Sequence, residues 1–268
     1  MLREITIGQY YPADSLIHRM DPRTKLIGTL CFIISLFVFS GVPGFVLITL
    51  FLAFCIRLSK VPFLFMVKGL KAILILMIIT GLFNILLTPG DDVLFAKGII
   101  KITTAGVKAA VFMLIRLTYL ILGTSVMTLT TTPNQLTDGL ETGLAPLNKL
   151  HVPVHAIAMM MSIALRFIPI LIEETDLIMK AQTARGADFE NGSLITKAKN
   201  MVPLLVPLFV SAFRRADDLA MAMEARCYHG GEGRTKMKPL RYSSLDRLAY
   251  LVAILFLAAV IALRFIRF

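Results

Sequence analysis

Residues Leu26 to Ile56 run for 31 positions without one charged side chain. A single helix of that length would measure about 46 Å, well past the ~30 Å hydrocarbon core of a bilayer. Gly41-Val42-Pro43-Gly44 stands at the middle of the run and supplies turn chemistry, so two short helices in a hairpin are predicted. Each arm of about 15 residues would be about 22 Å long. That is short for a span and calls for a thinned bilayer, snorkelling of the flanking Lys25, Arg57 and Lys60, or support from neighbours. Composition agrees with a lipid environment. Of 268 residues, 57% are hydrophobic and 17% charged, against about a quarter charged in soluble domains. Mean hydropathy is +0.78. Disordered, coiled-coil and disulfide-scaffold classes are excluded. Cys31, Cys55 and Cys227 are too scattered to staple a fold, and two of them sit in apolar runs as buried, reduced thiols.

Three further blocks read as spans. Ala72 to Pro89 is uncharged, flanked by Lys68 and Lys71 before it and by Gly90-Asp91-Asp92 after it. Ala109 to Leu129 is long enough but contains Arg116. Two readings of Arg116 stand: a charge at membrane depth that needs a partner, or a side chain near one end that snorkels. Leu248 to Leu263 is uncharged, with Ala249/Ala253 and Ala258/Ala262 at the spacing that lets helices approach closely.

The first 25 residues carry Arg3, Glu4, Asp14, Arg19, Asp21, Arg23 and Lys25 ahead of any apolar block. They are expected to form a retained cytoplasmic arm and not a cleaved signal peptide. The Lys and Arg bias places the arm and the Arg57–Lys71 loop inside and the Asp91-Asp92 loop, balanced by Lys97 and Lys101, outside. Residues 131–247 return inside and the last span carries the C-terminus out. Arg264 and Arg267 oppose this, but Arg234, Lys236, Lys238, Arg241 and Arg247 outnumber them on the other flank. The domain plan is therefore an arm at 1–25, four transmembrane helices within 26–130, a cytoplasmic region at 131–247 and a last span at 248–268.

Region 131–247 does not read as ordinary membrane sequence. Val154 to Ile172 contains Arg166 and Pro169 and continues into Glu173-Glu174 and Asp176. Met201 to Phe213 contains Pro203 and Pro207 and continues into Arg214-Arg215 and Asp217-Asp218. Both resist assignment as spans, because each passes into mixed-charge helical sequence without a turn. Their ends echo each other. An Asp, an Ala and a second Ala precede Arg185 at nine, four and one positions (Asp176, Ala181, Ala184), and Asp217, Ala222 and Ala225 stand likewise before Arg226. The offset is 41 residues; the matching residues are common types, so a true repeat and coincidence both remain open. Each unit reads as a long helix ending near glycine, Gly186 in one and Gly230-Gly231 in the other. Arg185 and Arg226 then either cap the helix dipole or form docking plugs, their planar forks suited to an acidic pocket on a partner. Met159, Met160, Met161, Met179, Met221 and Met223 lie on the same helices, as core filler or as a face that repacks against a partner.

Other signals are weaker. His151-Val-Pro-Val-His155 lacks the Glu of a zinc-protease motif and has Pro153 between its histidines, so no metal is assigned. Neither a GxxxxGK[ST] phosphate loop nor a GxSxG elbow occurs, so the chain is not expected to hydrolyse ATP or esters. The Gly230-Gly231-Glu-Gly233 stretch and its basic followers fit a loop against anionic headgroups. The net charge of +11 is spread over membrane-flanking loops and is not a nucleic-acid footprint.

An arm reading His18-Arg19-Met20-Asp21-Pro22-Arg23-Thr24-Lys25, a short-helix membrane part, and two helices ending Ala184-Arg185-Gly186 and Ala225-Arg226-Cys227 together resemble the transmembrane T component of energy-coupling factor (ECF) vitamin transporters. The likeness extends over essentially the whole chain. It implies an all-α integral membrane protein with about five short transmembrane helices plus long cytoplasmic coupling helices. It further implies a cell-membrane scaffold that binds two ABC-type ATPase subunits and a membrane S component. ATP and Mg would be bound by the ATPases, with no cofactor and no catalytic residue in this chain. The family's Ala-Arg-Gly tips carry over to Ala184, Arg185, Gly186, Ala225, Arg226 and Cys227; Cys227 departs from the usual glycine, so the local backbone there is open. The rival is a stand-alone secondary transporter or channel with Arg116 and Arg166 in its pathway. An intramembrane enzyme would need a polar constellation, and the spans offer only scattered Ser and Thr and Asn84.

Overall fold

A computed structural model describes residues 10–38, 41–89, 92–97, 100–189, 193–230, 237 and 239–265. The expectations attached to Arg3, Glu4, Asp91, positions 231–236, Lys238 and Arg267 lie outside the described residues. The elements in chain order are α1 (Pro22–Val38), α2 (Val42–Ser59), α3 (Phe63–Leu87), β1 (Val93–Lys97), β2 (Ile100–Thr103), α4 (Thr104–Thr130), α5 (Pro133–Leu144), a 3-10 turn (Ala145–Leu150), α6 (Val154–Ala184), α7 (Leu194–Ala225) and α8 (Ser244–Phe265). The chain is an all-helical membrane protein, with one addition to the expected fold: β1 and β2 pair antiparallel as a small hairpin between α3 and α4.

Packing divides the chain into two compact units, one built from Gly8–Gly139 and Leu240–Phe268, the other from Leu140–Pro239. In the first, the 31-residue apolar run breaks where expected. Gly41 is the extended N-cap of α2 and a proline follows in the first helical turn, where its missing N–H costs nothing. The two helices touch through the rings of Phe32 and Phe51, 6.2 Å apart, but each packs mainly on α4 and α8. Their shared core contains Leu36, Ile48, Leu52, Leu122, Val126, Phe256 and Val260. Phe51 stacks on Phe256 with centroids 4.0 Å apart. Gly123 of α4 leaves room for the Phe32 ring, which a Cβ there would strike.

Among the described residues four helices (α2, α4, α6 and α8) are long and apolar enough to cross a membrane, and a fifth follows if α3, bent by 62° between Phe63–Lys71 and Ile73–Leu87, is one span. By this measure α6 departs from the expectation that it resists a span, because its apolar half outweighs Arg166, and α1, expected as a short span, falls below the length needed. Leu74, Ile75, Leu76, Ile78, Ile79, Leu82 and Phe83 of α3 are all exposed. On a soluble protein such a surface would be an aggregation liability; hydrocarbon solvates it.

The arm is anchored by hydrogen bonds. Asp21 caps α1, its carboxylate accepting from the Arg23 N–H at 2.9 Å, with Pro22 opening the helix. Tyr11 N–H donates to the Leu129 carbonyl at 2.9 Å, and the Lys25 ammonium donates to the Thr130 carbonyl at 2.8 Å, the last turn of α4. Thr132 and Gln135 form a reciprocal capping box at the start of α5. At the arm's surface, Arg19 pairs with Asp14 at 2.6 Å. That hydrogen bond and charge hold the Asp14 carboxyl below the usual carboxylate range, and Lys60 adds to the same field.

Candidate functional site: two matched helix ends

In the second unit α6 and α7 are continuous helices of 31 and 32 residues. Pro169 lies inside α6, and Pro203 and Pro207 lie inside α7. They end at Ala184 and Ala225, so Arg185 and Arg226 occupy the position just past the last helical residue, and both are exposed.

The closing hydrogen bonds are the same at both ends. Gly186 N–H donates to the Thr183 carbonyl at 2.9 Å, and Ala187 N–H to the Gln182 carbonyl at 3.0 Å. Cys227 N–H donates to the Glu224 carbonyl at 2.8 Å, and Tyr228 N–H to the Met223 carbonyl at 3.1 Å. This pair of bonds defines a Schellman closure, in which the second residue past the helix takes a left-handed backbone. Gly186 does so with φ +91° and Cys227 with φ +54°. The expectation that Gly230-Gly231 ends the second helix is therefore corrected. The stop comes three residues earlier at Cys227, because the hydrogen-bonded closure imposes the left-handed turn on a cysteine. Gly230 also has positive φ, at 101°, but lies beyond the closure, and Gly231 is outside the described residues. The departure at Cys227 leaves the backbone of the second end like that of the first.

The 41-residue echo has a structural counterpart. Arg215 on α7 donates to the Glu174 carboxylate on α6 at 3.0 Å, and these positions are themselves 41 apart. Further along, the Gln182 side chain on α6 meets the Pro203 carbonyl on α7 at 3.5 Å. A later residue of α6 thus meets an earlier one of α7, so the helices run antiparallel. Arg185 and Arg226 each lie eleven residues beyond the ion pair, about 16 Å of helix, and leave it in opposite directions. Met160, Met161 and Met221 are exposed, as are Leu205, Val206, Phe209, Val210 and Phe213 of α7.

The remaining candidates separate. Arg116 lies on α4 with its guanidinium carbon 5.5 Å from the Phe37 ring centroid, a cation–π distance. Arg166 is exposed on α6, in the other unit. The His155 imidazole Nδ1 is 2.8 Å from the Glu141 carboxylate; His151 is exposed and has φ +59°.

Sequence reasoning missed Asp246. It is 1% exposed and accepts from the Asp21 N–H at 2.8 Å, the Ser243 N–H at 2.7 Å and the Ser243 hydroxyl at 2.7 Å. It thereby ties the start of α8 to the start of α1. Asp21 also grips Arg23 at 2.8 Å, and the Arg23 guanidinium lies 3.9 Å over the Tyr242 ring. The signal was present: Ser243-Ser-Leu-Asp246 before an apolar run is a capping-box pattern.

A family model described as CbiQ, cobalt transport protein, matches residues 13–237. Proteins named energy-coupling factor transporter transmembrane protein EcfT are similar along nearly all of the chain. The one from Clostridium kluyveri is 54% identical over 95% of this chain and 94% of its own length. That from Ruminiclostridium cellulolyticum is 50% identical over the full length of both, and that from Bacillus subtilis 49% identical over 97% and 98%. By its two matched helix ends, its apolar spans and these similarities, the chain belongs to the family of energy-coupling factor transporter transmembrane proteins.

Proposed function

We propose that this chain is the coupling subunit of an ECF-type importer: it joins two ABC-type ATPase subunits to a membrane S component that carries a vitamin or other micronutrient. Arg185 and Arg226, flanked by Ala184, Gly186, Ala225 and Cys227, are the ATPase-docking tips. ATP and Mg belong to the ATPases, substrate specificity belongs to the S component, and this chain catalyses nothing. The N-terminal arm and the α6–α7 pair face the cytoplasm, with the protein resident in the cell membrane. The observation that carries this reading is the pair of identical closures, each presenting an exposed arginine from opposite ends of an antiparallel helix pair.

The mechanism follows from rigidity at the tips and adaptability between them. A Schellman closure fixes the arginine against its helix, so a force on the guanidinium moves the whole rod. Closure and opening of the ATPases would drive the two rods, and the exposed Met and Phe faces would pass that motion to the S component by repacking. Arg suits the tip because its fork engages carboxylates in a bidentate way that Lys cannot reproduce.

The test is the double variant Arg185→Glu/Arg226→Glu. It is expected to lose co-purification of both ATPases in mild detergent and substrate uptake in proteoliposomes, while the isolated chain keeps its thermal unfolding midpoint. Wild-type assembly and uptake by the variant would end the docking assignment. Uptake by the chain alone, without ATPases or S component, would favour a stand-alone transporter with Arg116 and Arg166 on its path.

A further inference from the structure

We propose that the cavity enclosed by α1, α2, α4 and α8 is a binding site for one acyl chain of a phospholipid with an anionic headgroup. The cavity measures 340 Å³ and lies within the membrane unit, at the end where α1 and α8 begin and α2 and α4 finish. Its walls are mostly apolar, with Phe32, Phe51, Phe54, Leu248, Val252 and Phe256 among them and Thr24, Thr29 and Thr130 as the minor polar share. Such a space is too apolar to hold ordered water and too large to remain empty in an interior packed to crystal density. It also opens to the surroundings, so a bilayer chain can enter. Small residues keep it open. A Cβ built on Gly28 would meet nothing within 4 Å, and Ala253 stands on the opposing helix.

Charge selects the headgroup. Arg57 in the last turn of α2, Lys60 just after it and Arg247 in the first turn of α8 are exposed at this same end. The acids there are already engaged. Asp14 pairs with Arg19 and Asp21 with Arg23, and the Asp246 carboxylate, hydrogen-bonded to Ser243 and the Asp21 amide, has its charge balanced by the buried Lys25 ammonium. The positive charge beside the cavity, carried by Arg57, Lys60 and Arg247 next to its lining residues Leu58 and Leu248, is therefore uncompensated, and a phosphate on a lipid whose tail fills the cavity would neutralise it. The buried Lys25 ammonium, spent on the Thr130 and His18 carbonyls, holds the inner wall and does not compete at the mouth.

The experiment uses the full-length chain in phosphatidylcholine nanodiscs doped with a photoactivatable-acyl phosphatidylglycerol, or with the same probe bearing a choline headgroup. Cross-links are mapped by peptide mass spectrometry. The glycerol probe is expected to label cavity residues of α1, α2 and α8, about fivefold more than the choline probe, the effect of one surface charge. Gly28→Phe, or Ala253→Leu as an independent filler, should abolish cavity labelling with an unchanged unfolding midpoint. Arg57→Gln/Lys60→Gln/Arg247→Gln should keep labelling but erase the headgroup preference. Labelling spread evenly over α3 and the cavity, equal labelling by both probes in the unsubstituted chain, or a co-purifying polypeptide cross-linked in the lipid's place would each overturn the proposal.

Discussion

Glu174 and Arg215 meet at 3.0 Å from positions 41 residues apart, the same offset that separates Arg185 from Arg226. Two antiparallel helices carrying one pattern can bring equivalent residues together at a single point, the local twofold axis between them. The ion pair marks that point. Its side chains are 21% and 39% exposed, so water screens the attraction. A double-mutant cycle with Glu174→Ala and Arg215→Ala should give a coupling of about 0.5 kcal/mol in thermal unfolding, falling with added salt. A coupling indistinguishable from zero at low salt would remove the pair from any role in aligning the helices.

The two closures predict opposite signs for two small substitutions. Gly186→Ala forces a Cβ into a left-handed backbone and should destabilise the end of α6 by about 1 kcal/mol. Cys227→Gly relieves that same penalty and should stabilise the end of α7, by about 0.5 kcal/mol once glycine's extra chain entropy is subtracted. Hydrogen exchange of the Ala187 and Tyr228 amides reads each end separately; equal shifts in one direction would refute the matched geometry.

Asp246→Ala leaves the Asp21 amide, the Ser243 amide and the Ser243 hydroxyl without their acceptor at a site that is 1% exposed. The expected loss is about 3 kcal/mol, with Asp246→Asn recovering part of it through its carbonyl oxygen. Thermal unfolding in a single detergent, comparing the two variants, decides it. An alanine variant as stable as the parent would show that water replaces the carboxylate.

Gly123 and Gly28 face different surroundings on neighbouring helices, and alanine separates them. At Gly123 the methyl group would collide with the Phe32 ring, an overpacking cost of about 2 kcal/mol. At Gly28 it enters open space and improves helix propensity, so stability should hold or rise. Reversed effects would mean that the α1–α4 packing differs from that described.

The apolar blocks that became α2, α4 and α8 were legible as spans, but α6 was not: its Arg166, Pro169 and acidic continuation argued against one, although it too is long and apolar enough to cross a membrane. The sequence also showed that Val154–Ala184 and Leu194–Ala225 pass from apolar to mixed-charge sequence without a turn, prolines included. The hairpin at Val93–Thr103 was not legible: Val-Leu-Phe-Ala-Lys is too short for its periodicity to tell a strand from loop. The end of α7 was misplaced at a glycine because composition advertises the usual occupant of a left-handed turn. The closure itself is made of backbone hydrogen bonds, to which Cys227 submits. Asp246 escaped notice for a different reason. Its acceptors' partners, Asp21 and Ser243, are 225 and 3 residues away, and only folding reveals the first.

The exposed row Leu205, Val206, Phe209, Val210 and Phe213 on α7 bears on how the protein is made. A newly synthesised copy carries what amounts to half of a core on its outside. On the proposed reading, in which α7 stands outside the bilayer, that half is a substrate for chaperones and proteases until a partner covers it. The chain's abundance in a cell should therefore follow that of its binding partners more closely than that of its own messenger, which makes assembly a quality-control step in its own right.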